Sequence, residues 1–115
     1  MIKKPEEMKI QVNEKMRGGN GITKMTHLFT QDELKGHCRI CARIELQPGC
    51  SIGYHQHIDE EEIYYILQGK GTVNDNGELK EVTAGDAVLT GDGAGHSIEN
   101  TGTEPLVLMA VILTY

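Results

Sequence analysis

The most regular feature of the chain is an alternation that begins near His37. In CRICARIEL, Ile40, Ala42, Ile44 and Leu46 occupy every second position, with Cys41, Arg43 and Glu45 between them, and Pro48-Gly49 closes the run. Period two over this length is the pattern of a half-buried strand. The same alternation predicts strands at SIGYHQH, at EIYYILQG closed by Gly69, and at HSIEN. KGTVNDNGELKEV reads as a hairpin, with Asn76-Gly77 as its turn. Gly85 opens a strand at DAVLT, GDGAG is a further turn, and LVLMAVILTY is a long final strand after a turn ending at Pro105.

At least eight short strands at regular spacing, with no helical pattern between them, argue against parallel βαβ units. The remaining architectures are a β-sandwich, a jelly roll or a small barrel. The first 36 residues are more polar. KIQV is a possible short strand there, RGGNG a loop, and Thr30-Gln31-Asp32-Glu33 matches a capping box followed by Gly36, which allows one or two helical turns at most. The expected organisation is an N-terminal arm over 1–36 and a β-barrel over 37–115.

Composition narrows the function classes. A length of 115 residues fits one domain. The chain has no tryptophan and one phenylalanine, so aliphatic residues and methionine must fill the core. A net charge of −6 disfavours nucleic acid or an anionic membrane as partner. No apolar stretch approaches the ~20 residues of a membrane span, and MIKKPEEMKIQ has no apolar signal core. The expectation is a soluble cytoplasmic protein. Cys38, Cys41 and Cys50 are odd in number, and the C-x-x-C pair falls on a strand where residues three apart face opposite ways. They are therefore expected to be reduced packing cysteines, not a disulfide.

The chemistry concentrates in GYHQHIDEEEIYY. On a strand, His55 and His57 face the same side, a spacing that can grip one metal ion. If Glu62 points inward on the return strand, Tyr64 and Ile66 do too, while Ile63, Tyr65 and Leu67 face the other way. On its own an H-x-H is commonly solvated. His96, after GDGAG, can complete a site of three nitrogens and one oxygen if its strand lies beside the first pair.

These residues resemble the two motifs of the cupin superfamily. Residues 49–69 match G-x5-H-x-H-x3,4-E-x6-G through Gly49, His55, His57, Glu62 and Gly69. Residues 85–100 match G-x5-P-x-G-x2-H-x3-N through Gly85, Gly93, His96 and Asn100, with Gly91 in place of the proline. Glu61 also lies within the first allowed gap, but fails the interval to Gly69. The resemblance implies an all-β double-stranded β-helix, a jelly-roll barrel, that binds one divalent transition metal through His55, His57, Glu62 and His96. Three imidazoles and a carboxylate suit Mn, Fe, Co, Ni or Zn, with manganese or iron foremost from the likeness to small oxalate decarboxylase-like cupins. That likeness implies a homodimer and a small carboxylate or sugar-derived ligand, with oxidation, decarboxylation or isomerisation as candidate reactions and a non-catalytic binding module as the alternative. The segment between Gly49 and His55 lacks an arginine for a second carboxylate.

Other positions follow from parity. Arg39 and Arg43 are expected to face outward, away from Ile40 and Ala42. An inward Arg43 would be a carboxylate clamp. Tyr64 is either core packing or a donor behind the metal. His27 and His37 are expected at the surface, Met109 in the core, and Arg17 near a neighbouring subunit.

Overall fold

A computed structural model describes all 115 residues. It contains ten strands: β1 (Lys9–Glu14), β2 (Ile22–His27), β3 (Cys38–Leu46), β4 (Ser51–Gln56), β5 (Glu60–Gln68), β6 (Lys70–Asp75), β7 (Glu78–Thr83), β8 (Ala87–Gly91), β9 (Gly95–Asn100) and β10 (Leu106–Thr114). One sheet has the order β1-β2-β3-β10-β5-β8 and the other β4-β9-β6-β7. Every pairing is antiparallel. The alternation predicts an all-β fold, and the arrangement is the jelly roll that the cupin resemblance implies. No helix is long and apolar enough to cross a membrane.

The segment before His37 contributes more than the KIQV strand. β1 and β2 pair along their full lengths, and β2 continues the sheet onto β3. Helical structure is confined to short 3₁₀ turns at Pro5–Glu7 and Met16–Gly18. The Thr30 capping box closes a single turn: Leu34 N–H donates to Thr30 O at 3.2 Å, and Thr30 N–H donates to Glu33 Oε1 at 2.7 Å. Glu33 also receives Lys3 Nζ at 2.5 Å. The bonds from Lys3 and Thr30 hold its carboxyl down at about 2.

Alternation decides the core. Ala42, Ile44 and Leu46 of β3, Tyr64 and Ile66 of β5, and Leu108 and Ala110 of β10 are buried against Ile52, Val73, Val82 and Ile98 of the facing sheet. Ile63, Tyr65 and Leu67 point away and stay exposed, as parity predicts. Met109 departs from expectation. It pairs with Arg43 and lies on the outer face between inward Leu108 and Ala110, so it is a surface-groove residue and not core. Its position in a strongly apolar run hides its parity.

Two glycine and asparagine positions of the motifs have clear structural causes. A Cβ on Gly91 would stand 2.6 Å from Glu61 Cβ, so this position packs tightly against β5 where the motif carries proline. The left-handed turn that follows is made by Asp92 and Gly93. Asn100 is fully buried. Its Nδ2 donates to Leu46 O and Glu104 O, both at 2.8 Å, and its Oδ1 accepts from Gly102 N–H at 2.9 Å. One side chain thus ties the end of β3 to the β9–β10 turn.

Two predictions follow from these contacts. Asn100→Ala strands buried carbonyls and should lower unfolding free energy by about 2–4 kcal/mol in urea titration; a loss below ~0.5 kcal/mol would contradict the tie. Glu33 has a depressed folded pKa, so its contribution is complete above the ordinary value of 4.5 and disappears as pH falls toward about 2. A carboxyl titration followed by NMR should show a Glu33 midpoint near 2, and a midpoint near 4.5 refutes the Lys3–Thr30 clasp.

Candidate metal centre

The four sequence-predicted ligands come together between the two sheets. β4 and β9 pair so that His55 lies directly opposite His96. His57 continues from β4 and is fixed by its backbone: its N–H donates to Ala94 O at 3.0 Å, and its carbonyl accepts from Gly93 N–H at 2.9 Å. Glu62 enters from β5 on the opposite sheet, on the same face as Tyr64 and Ile66. Glu62, His57 and His96 are buried, whereas His55 is half-buried at the open side. The sheet pairing thus brings residues 55 and 96 together by register, and parity aims Glu62 at them.

The ring orientations are set from behind. His55 Nδ1 lies 2.7 Å from Gly53 O. A carbonyl can only accept, so Nδ1 carries the proton and Nε2 is left bare. His57 Nδ1 donates to Glu60 Oε2 at 2.5 Å, which leaves its Nε2 bare as well. These two bare edges meet that of His96. His57 Nε2 is 3.0 Å from His96 Nε2, which is 3.2 Å from His55 Nε2. Glu62 Oε1 is 3.0 Å from Nε2 of both His57 and His96, without an aligned hydrogen bond to either. His96 Nδ1 is buried without a partner, and its ring stacks on Tyr64 at 4.8 Å with 10° between the planes.

Lone pairs of three imidazoles and a carboxylate at these separations repel unless something positive lies among them. One proton on His96 Nε2 can serve only one of its neighbours. A cation serves all four. The four ligand atoms lie within 4.8 Å of one another. Donors held at right angles by bonds of about 2.1 Å would stand ~3.0 Å apart, which is the spacing found for His57, His96 and Glu62. The group therefore fits a divalent metal ion. The donor set has no thiolate, which separates it from structural zinc sites.

Electrostatics agree with the geometry. Burial lowers the pKa of His55. Glu62, and then Glu60, raise that of His57. Burial works against Glu62, but the His57 and His96 rings beside it outweigh burial and its carboxyl is lowered. Burial, with the Glu62 charge beside it, pushes Tyr64 well above the ordinary phenol range, so Tyr64 stays protonated.

Two residues in contact with the cluster or its cavity lie outside the set expected from sequence. Glu60 occupies the same face of β5 as Glu62, and its carboxyl is held at about 2 by Arg39 and then by His57. Arg39 corrects the parity reading. It was expected to face outward, yet it lines the cavity beside His55, His57 and Glu62. The cause is a bulge. β10 pairs Ile112 with Ile40 and Leu113 with Cys38, skipping Arg39, and a bulge re-aims the extra residue. Arg39 then grips Glu60 through Nε and Nη2 at 2.7 and 2.8 Å. Arg43 behaves as parity predicts: it stays outside, 2.9 Å from Glu45, in a groove with Lys24 and Met109. It is not brought to the site and cannot clamp a ligand there.

The other titratable candidates are elsewhere. His27 bonds Gln11 at 2.8 Å and His37 is exposed. Cys38, Cys41 and Cys50 are free thiols, as expected. Arg17, linked from sequence to a neighbouring subunit, lines this cavity with Met16 within its own chain.

Comparison with known proteins agrees with this geometry. The model of the cupin domain family matches residues 42–112. The chain is 42% identical over 113 residues to an "Oxalate-binding protein" of Thermotoga maritima, covering 98% of this chain and 93% of that one. A solved structure of a predicted oxalate decarboxylase from Thermotoga maritima superposes with a TM-score of 0.94 at 42% identity, covering all of both chains. The structure of KdgF from Halomonas shares the fold alone, with a TM-score of 0.76 at 17% identity over 100% of this chain and 94% of that one.

Glu60 is expected to act on metal affinity through His57. Glu60→Gln should weaken manganese binding about 10- to 100-fold in a chelator competition assay. Unchanged affinity would show that the Arg39–Glu60–His57 chain does not support the site.

Proposed function

The chain belongs to the cupin family, and from that premise we propose that it holds one divalent transition metal through His55, His57, Glu62 and His96 and binds a small carboxylate there. Manganese or iron is the preferred ion, and cobalt, nickel and zinc suit the same donors. The observation that carries this reading is the convergence of three Nε2 atoms and an unaligned, buried Glu62 Oε1 on one point. When bound, such an ion supplies a Lewis acid and a template for ligand oxygens.

The remaining residues shape what enters. The cavity is about 50 Å³, walled on its dry side by Met25, Ile44, Ile52 and Ile112. At about 10–15 Å³ for each water-sized occupant, this favours a ligand of a few heavy atoms over a sugar. The similarity to an oxalate-binding protein makes oxalate the first compound to test.

Binding without turnover is the second reading, and one observation favours it. Apart from the proposed ligands, the cavity is lined by arginines, apolar side chains and Tyr64, and the Tyr64 phenol is held protonated far from a useful range. No carboxylic acid or lysine stands ready to deliver a proton to a decarboxylated product. A homodimer forms part of the same proposal. The outer face of the six-stranded sheet exposes Ile63, Tyr65, Leu67 and Leu89, an apolar face suited to a second copy.

Elemental analysis of protein purified without added metal should find about one transition-metal ion per chain. His55→Ala and His96→Ala should each abolish retention; unchanged metal content in both sinks the shared site. Calorimetry should then show oxalate binding to manganese-restored protein but not to metal-free protein. Product formation from oxalate would overturn the binding-only alternative. Light scattering should return the mass of two chains, and a monomer at micromolar concentration contradicts the dimer.

A further inference from the structure

Three arginines occur in the chain. Arg39 and Arg43 are paired with Glu60 and Glu45. Arg17 has no carboxylate partner, yet it lines the metal cavity. Its place there is built with some care. The β1–β2 loop turns back through Lys15 and Arg17, both in left-handed backbone. Lys15 N–H closes the loop on Gly21 O at 2.8 Å. The loop is then strapped to β4. Ser51 N–H donates to Asn20 O, and Asn20 N–H donates to Ser51 Oγ, both at 2.8 Å.

Beside this strap the two backbones approach so closely that no side chain fits between them. A Cβ on Gly19 would stand 2.2 Å from Ser51 O, and one on Gly53 would stand 2.0 Å from Arg17 O. Gly19 is itself in ordinary extended backbone, so it is the contact and not the dihedral that excludes a side chain. Met16, next in the loop, packs onto the core and holds it down. The loop is thus a fixed arm that sets Arg17, exposed and without a carboxylate partner, in the lining of the cavity.

Charge around the cavity shows what that cation is for. Glu60 and Glu62 supply two negative charges, and Arg17 and Arg39 two positive ones. The side chains cancel, and the charge of a divalent ion is left for the ligand to balance. We propose that Arg17 is the specificity-determining residue of the site, selecting small dianionic ligands by holding the carboxylate that faces away from the metal. The inference rests on the metal and carboxylate reading above. It supplies an arginine from the N-terminal loop, where the segment between Gly49 and His55 has none.

Calorimetry on the manganese-loaded full chain tests it, with oxalate as the dianion and acetate as the monoanion. Arg17→Gln should weaken oxalate about tenfold, as expected for an exposed charged hydrogen bond, while acetate and manganese affinities stay within about twofold. Arg17→Lys should keep most of the preference for oxalate. Gly19→Ala should reproduce the Arg17→Gln loss with Arg17 intact, because the loop must move off β4. Arg17→Gln protein that binds oxalate as tightly as wild type overturns the assignment and leaves the metal and carboxylate reading standing. Wild-type protein that takes up manganese but binds neither anion overturns both.

Discussion

Three imidazole edges and one carboxylate oxygen are held within 4.8 Å of one another at a point that is open only on the His55 side. Like-polarised atoms do not gather there by themselves. His57 and His96 are buried at 1% and 0% exposure, so solvent cannot relieve the repulsion. Each element of the fold contributes one part of the compression. The register of β4 against β9 sets His55 across from His96. The return strand β5 on the other sheet delivers Glu62. The core around Ile44, Ile66 and Leu108 keeps the two sheets at a fixed spacing. A cluster of this kind brings together unfavourable contacts that a bound cation would relieve, and the proposed function rests on that.

Orientation comes from behind the ligands. The Gly53 carbonyl and the Glu60 carboxylate each accept a hydrogen bond from a histidine Nδ1–H and turn Nε2 toward the centre. Arg39 in turn fixes Glu60 through two parallel bonds, a geometry that limits its rotation. Tyr64 backs the His96 ring by stacking. These contacts reach across both sheets, so the site and the barrel are one mechanical unit.

Much of this was legible in the sequence, because period two is a direct record of which side chains face inward. Parity placed Tyr64 and Ile66 inside and Tyr65 outside, and the two motifs named the four converging residues. Glu60 was legible too: it shares parity with Glu62, but it sits in an acidic run that resembles a solvated turn. Arg39 was not legible, since a one-residue bulge resets parity without a mark in the local sequence. Met109 was obscured because every neighbour in its strand is apolar. β2 was hidden for the opposite reason. ITKMTH buries a polar Thr23 beside Met25 and exposes Ile22, so its apolar residues do not mark the inward face. The place of Arg17 depends on a long-range approach between Gly19 and Gly53, which no local pattern reports.

The convergence is tested most directly by an anomalous-scattering difference map from crystals grown with manganese. The predicted result is a single peak within about 2.0–2.3 Å of Nε2 of His55, His57 and His96 and of Glu62 Oε1. A map with no peak among those atoms, or with manganese held by other residues, contradicts it.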